Sequence, residues 1–264
     1  MPNGFPNQAP IAASASAAGA LREFALVAAA NGALLAALLI AQPATPEGAR
    51  TAPLAAFAVA TLIAAALLRA RYPHRSVGLC NAVTHLRLTL AAPLAAWLIA
   101  PGGLSGDPAA GWAVVALAGA SLALDGADGW LARREGLVSR FGARFDVEVD
   151  AALALALAAL AWRSEIAGGW VLALGAPRYL FVAAGMVAPR LRGSLPERGS
   201  RKAVCALQIS ALIALLCPVV PTAASQPFAA LAAAALAASF AADLRWLWRA
   251  APEAPRGLGA REAR

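Results

Sequence analysis

Histidine is nearly missing from this sequence: there are two in 264 residues, too few for a His-based metal cage. Cysteine is scarce as well. Cys80, Cys205 and Cys217 are widely spaced in or beside apolar runs, which gives neither a disulfide framework nor a zinc site. Charge is low, at 14% of residues against 61% hydrophobic. Several apolar runs approach the roughly 20 residues needed to cross a bilayer, so a soluble domain is excluded. Acidic residues are the rarer charge, 14 against 22 basic, leaving a formal net charge of +8. In a soluble protein that surplus would suggest nucleic acid. Here the arginines cluster between apolar runs, as a topology signal does, and no nucleic-acid partner is expected.

What is abundant is alanine, which suits close packing of helices in lipid. The apolar runs predict an all-α integral membrane protein with eight spans. Residues 1–20 read as a disordered tail and residues 21–70 as two transmembrane helices, the first retained rather than cleaved as a signal peptide. Asn31 in the first span reads as a helix-packing hydrogen bonder. Residues 77–250 read as six further helices, and 251–264 as a basic tail. The segments at 71–82, 133–144 and 189–202 are rich in Arg and Lys, and those near 43–51, 101–109, 163–168 and 220–226 are poor in them. The positive-inside rule then predicts a cytoplasmic location for the rich set and for both termini.

The chain is organised around residues 125–150, DGADGWLARREGLVSRFGARFDVEVD. Asp125 and Asp128 are spaced i, i+3, and Asp146 and Asp150 are spaced i, i+4. Either spacing puts a pair on one face of a helix. The first pair ends an apolar run that starts near Trp112, and the second opens one that ends near Trp162. Two antiparallel helices joined by a short turn are predicted. Counting the rise from each Trp puts Asp125 (roughly 20 Å) level with Asp150 (roughly 18 Å), and Asp128 level with Asp146 at roughly 24 Å. Four such carboxylates would repel unless neutralised. A hard divalent cation or two would do that, and oxygen ligands suit Mg²⁺ or Mn²⁺. The plainer alternative pairs them with Arg133, Arg134, Arg140 and Arg144. Glu148, two residues from each member of its pair, faces away and reads as a partner for a turn arginine. Arg178, after Pro177 near the middle of the sixth span, is costly in lipid and must face the bundle interior. It reads equally as an anion-binding group or a structural ion pair.

The stretch resembles the signature of the CDP-alcohol phosphotransferase family, D-x2-D-G-x2-A-R-x8-G-x3-D-x3-D, with every position matched by Asp125, Asp128, Gly129, Ala132, Arg133, Gly142, Asp146 and Asp150. Asn81, Thr84 and Arg87 resemble an N-x2-T-x2-R segment entering the family core. Ser200, Arg201, Lys202 and Gln208 resemble a basic segment entering its fifth helix, although Ser200-Arg201 replaces a glycine-led start and Cys205 replaces a common Thr. The resemblance implies the family's six-helix core, to which the first two helices are an addition. It also implies a homodimer, and transfer of a phosphoalcohol from a CDP-linked donor to a hydroxyl acceptor with release of CMP. Asp125, Asp128 and Asp146 would hold Mg²⁺ or Mn²⁺, in two sites, with Asp150 sharing one and serving as general base. Gly129, Ala132, Arg133 and Gly142 would meet the donor nucleotide and its phosphates. Arg178, Arg201 and Lys202 are candidates for the acceptor.

The donor expected is CDP-diacylglycerol and the acceptor a small polar alcohol, with membrane lipids as partners. The alternative within the family carries a CDP-linked head group to diacylglycerol. An aspartate-rich prenyltransferase would put its two motifs on separate repeats and leave Gly129, Ala132 and Arg133 unexplained. A transporter using an intramembrane Asp/Arg path would be expected to show an inverted repeat or paired broken helices, and neither is visible.

Overall fold

The structure, a computed structural model, describes residues 13–42, 47–188, 191 and 199–249. Every regular element among them is helical. α1 (Ala13–Ala41) and α2 (Thr51–Arg71) form an antiparallel pair joined through a 3-10 turn, Glu47–Ala49. α1 begins inside the stretch expected to be a tail, while residues 1–12 and 251–264 lie outside the described residues, as do Arg190, Arg192 and Arg198 of the basic loop. α3 (Gly78–Ala91) and α4 (Leu94–Ile99) are one span interrupted at Pro93, whose ring removes a backbone donor. α5 (Pro108–Leu124) starts with proline at its first turn, and the Asp107 carboxylate caps it by accepting from the amides of Ala109 and Ala110. α6 (Ala127–Glu135) ends on Gly136 in the left-handed conformation. α7 (Arg140–Arg163) is capped by the Ser139 hydroxyl, which accepts from Gly142 N. α8 (Leu172–Gly175) and α9 (Pro177–Val187) follow, then α10 (Gly199–Leu216) and α11 (Thr222–Arg249).

Eight spans were expected, and the described helices differ from that in two places. Six segments are long and apolar enough to cross a membrane: 18–41, 51–71, 78–99, 108–135, 199–216 and 222–249. The sixth expected span is broken between α8 and α9 by a 72° bend, because Pro177 cannot continue the helix before it. The fifth, α7, is 24 residues and so about 36 Å long, enough to span, but Asp146, Glu148, Asp150 and Arg163 make it less apolar than the others. Chemistry and membrane crossing compete on the same helix.

The main apolar core joins α4, α5, α7, α8, α10 and α11 around Trp97, Leu153, Leu157, Leu174 and Leu212. Gly175 lets α8 close on α7: a Cβ there would lie 2.7 Å from Leu155 Cα. A second cluster, with Phe24, Leu68, Phe141 and Phe145, ties the added pair to α3 and α7. At its centre the fully buried His85 ring accepts at Nδ1 from Asn31 Nδ2 (3.0 Å) and meets Thr61 Oγ1 through Nε2 (3.1 Å). An amide nitrogen only donates, so the ring proton is on Nε2 and Thr61 accepts it. Asn31 thus acts as the packing hydrogen bonder its sequence position suggested.

The N-terminus of α3 is set from two sides. The Glu23 carboxylate of α1 accepts from Val77 N at 2.8 Å, and the Glu135 carboxylate at the end of α6 accepts from Leu79 N at 3.1 Å. Both satisfy orphan donors and oppose the positive helix end. That anchoring fixes the axial position of α3, and therefore of Arg87 two turns further on.

Candidate active site

α3 packs against α5, α6 and α7. The two arms of the aspartate hairpin therefore close on a third helix rather than mainly on each other, which the sequence alone did not suggest. The side chain they close on is Arg87, whose side chain is 0% exposed. Its Nη1 pairs with Asp128 (2.9 Å) and Asp146, and its Nη2 with Asp125 (3.1 Å) and Asp150. These are the two levels obtained by counting rise per residue from Trp112 and Trp162. The remaining guanidinium donor, Nε, is given to Ser121 O at 3.2 Å. The cation that gathers the four aspartates thus comes from α3 and not from the turn at 133–144.

The first pair is not presented as expected. Asp125 and Asp128 do not share one helix, because α5 stops at Leu124 and Asp125 is extended. Gly126 then turns the chain with φ +83° before α6 begins. A left-handed residue is cheap only for glycine, and elsewhere costs about 1–2 kcal/mol. Gly126→Ala is expected to lose about that much stability and to misalign Asp125 against Asp128. A thermal melt of the purified protein checks this, and a wild-type midpoint would mean that the turn relaxes. The second pair does follow helix spacing, one turn apart on α7.

Asp128 is the most enclosed of the four, its side chain 7% exposed against 37% for Asp125. Its Oδ1 accepts from Gly129 N (2.7 Å), and its Oδ2 accepts from Thr84 Oγ1 (3.0 Å) as well as from Arg87. In the first turn of α6 it also faces the positive end of that helix. Asp125, at the rim, is the most open to solvent. Thr84 and Arg87, given no role from the sequence, are therefore part of the site. The i, i+3, i+6 run Asn81, Thr84, Arg87 is visible in the sequence as a family-like segment, and what could have given it a role is that a buried arginine needs an acidic partner.

Asn81, the third of that run, donates from Nδ2 to Val77 O (2.7 Å) and to Tyr72 Oη (3.2 Å). Burial pushes the Tyr72 phenol up from its ordinary value, so it stays protonated and donates to Ser76 O. Asn81 also explains Gly142: a Cβ there would come within 3.2 Å of Asn81 Oδ1 and 3.3 Å of Ser139 Oγ. Gly142 is thus placed where α7 passes close to α3. Gly129, by contrast, is under no such pressure, its nearest neighbour being Arg133 Nη1 at 3.5 Å. Gly129, Ala132 and Arg133 lie along one side of α6, with Arg133 exposed.

Arg178 makes the ion pair that was one of its two alternatives, and its partner corrects the reading of Glu148. Arg178 sits in the first turn of α9, past the bend, and pairs with Glu148 at 2.5 Å. Glu148 therefore partners an arginine of the sixth span and not one of the turn. Arg201 pairs at 3.0 Å with Asp243 of α11, an ion pair with no antecedent in the sequence reading. Asp150, Arg178, Arg201, Cys205, Gln208 and Asp243 line a cavity of about 330 Å³. Lys202 is exposed and outside that lining.

The donor set fits a divalent cation. Four carboxylates share one guanidinium, which leaves three formal negative charges uncompensated. One oxygen from each of Asp125, Asp128 and Asp146 can be chosen so that all three lie within 4.8 Å of one another. Hard oxygens from separate residues at that spacing are what Mg²⁺ or Mn²⁺ accepts. Neither curated proteins nor solved structures give a match to this chain. A family model does match, over residues 77–241, which includes the whole acidic signature, Arg87 and Gln208. The chain belongs to the CDP-alcohol phosphatidyltransferase family, the divalent-metal-dependent integral membrane transferases that move phosphoalcohol groups from CDP-alcohol donors to alcohol acceptors.

Proposed function

We propose that this protein transfers the phosphatidyl group of CDP-diacylglycerol to a hydroxyl of a small polar alcohol and releases CMP. The observation that carries the reading is the convergence of Asp125, Asp128 and Asp146 oxygens within 4.8 Å, with Asp150 held to the same buried guanidinium. Asp125, Asp128 and Asp146 hold Mg²⁺ or Mn²⁺, in two sites, with Asp150 sharing one. Bound there, the metal neutralises charge that builds on the leaving phosphate oxygens. Gly129 and Ala132 leave the nucleotide room beside α6, Gly142 borders it from α7, and Arg133 meets the donor phosphates. The acceptor enters the cavity beside Asp150, where Arg178 and Arg201 orient it, and the exposed Lys202, outside that lining, meets it on the way in.

Asp150 takes the proton from the acceptor hydroxyl as its oxygen attacks the phosphorus bearing the diacylglycerol. The pyrophosphate P–O bond breaks, and CMP leaves with the electron pair. Acyl chains remain in the bilayer while phosphates react at its edge. The basic segments support a cytoplasmic face for the site in a bacterial-type membrane, and the family resemblance supports a homodimer.

The test is an acceptor screen with the purified full chain, labelled CDP-diacylglycerol and Mg²⁺ or Mn²⁺. The expected result is CMP release that needs one class of alcohol and stops on chelation. CMP release only with a CDP-linked head group and diacylglycerol would move the protein to the alternative reaction. Metal-independent ion flux without CMP release from any donor would make it a transporter.

A further inference from the structure

A cavity of about 1010 Å³ lies apart from the aspartate site. It lies between the added helix α2 and the core. Its α2 wall is the stripe Ala60, Ile63, Ala64, Leu67, Arg71, spaced as one helix face. Its opposite wall is the stripe of α7 from Arg140 and Arg144 to Val149 and Ala152. Asp146 and Asp150 are each two residues from Glu148, which lines the groove, so they point about 200° away. The groove is thus on the back of the helix that carries the acidic site, and the reacting groups do not face it.

Its two ends differ in chemistry. Arg71, Arg140 and Arg144 gather where α2 ends and α7 begins. The one carboxylate among the lining residues, Glu148, is engaged by Arg178 at 2.5 Å. Apart from the arginines the walls are Ala, Ile, Leu, Val and Phe, with Glu148 and Tyr179 the other polar residues of the lining. From Arg71 to Ala60 is about 16 Å, the depth of one leaflet of a roughly 30 Å hydrocarbon core. A basic mouth over an apolar slot one leaflet deep has the polarity of an anionic phospholipid, and basic pockets between transmembrane helices recognise such head groups. The slot is also built to persist, since the His85 bonds to Asn31 and Thr61 fasten both added helices to α3.

We propose that this groove binds one anionic phospholipid as a resident ligand separate from the substrates. Its phosphate sits at Arg71 and Arg144, and its acyl chains lie between α2 and α7. The two added helices thereby complete a lipid site that the core alone lacks, because without them the whole α2 wall would be missing.

Native mass spectrometry of the full chain in detergent, with phosphatidylglycerol and phosphatidylcholine of identical chains as probes, tests this. The expected result is retention of one phosphatidylglycerol at least tenfold over phosphatidylcholine. Retention should fall at least tenfold in R71Q/R144Q and in A60F, which narrows the apolar half, but persist in D150N. Equal retention of the two lipids would overturn the proposal, and so would full retention in either groove variant. Displacement of the lipid by CDP-diacylglycerol in proportion to its occupancy of the acidic site would show a single site and also overturn it. Loss of CMP release in D150N with the lipid still bound separates this proposal from the reading of the reaction.

Discussion

Arg87→Met should be the most destabilising single substitution in the catalytic half of the protein. The guanidinium is fully enclosed and is shared by Asp125, Asp128, Asp146 and Asp150, with its last donor on Ser121 O. Methionine fills much of the volume, so packing loss is the smaller term. The larger one is electrostatic: four carboxylates would stay together with their shared cation gone. Removing one partner of a buried pair costs about 3–5 kcal/mol. Against a total stability of about 5–15 kcal/mol, that brings the protein close to unfolding at ambient temperature. Arg87→Lys should recover only part of the loss, because a single ammonium lacks the planar fork that serves two levels of carboxylates at once. The distinguishing measurement is the melting midpoint with and without Mn²⁺. If charge is the cause, the ion should raise the midpoint of Arg87→Met by more than that of the unaltered protein. A wild-type midpoint for Arg87→Met, or equal gains from Mn²⁺, would mean that the four aspartates do not depend on this side chain.

That expectation rests on a residue whose importance the sequence only half disclosed, and the reason is physical. Asp146 and Asp150 announce themselves because one helical turn is all that is needed to group them, whereas Asp125 and Asp128 are close in sequence but are set by the turn at Gly126. The cation between the pairs comes from α3, some forty residues before the first aspartate and about sixty before the last, and its approach depends on how three helices pack. Sequence spacing carries no information about that. Long apolar runs revealed the membrane class for the same local reason, whereas the break at Gly126 did not stand out. A glycine among alanines and leucines reads as a packing residue until the left-handed φ is seen. Glu148 shows the limit from the other side. Its direction, away from Asp146 and Asp150, follows from counting residues, but its partner Arg178 lies beyond a 72° bend whose angle no periodicity predicts.

Asp150→Asn and Asp146→Asn should both silence turnover, for different reasons that can be separated. Asp150 joins the Arg87 cluster and also lines the cavity proposed for the acceptor, so it touches both halves of the reaction. Asp146 belongs to the set of three whose oxygens lie within 4.8 Å of one another. Loss of a positioned general base lowers turnover by about 10²–10⁴-fold. Asp150→Asn should show that loss in kcat, with Mn²⁺ weakened at the one site Asp150 shares but kept where Asp125, Asp128 and Asp146 remain. Asp146→Asn should lose Mn²⁺ binding and metal-dependent turnover together while the protein still folds, because the amide keeps the shape and gives up the charge. Mn²⁺ titration followed by paramagnetic resonance, beside a CMP-release assay, reads both quantities. Asp150→Asn with Mn²⁺ binding abolished would make that residue a ligand before it is a base. Normal metal-dependent turnover in Asp146→Asn would remove it from the metal set, and the acidic hairpin would then have to be explained by its pairing with Arg87 alone.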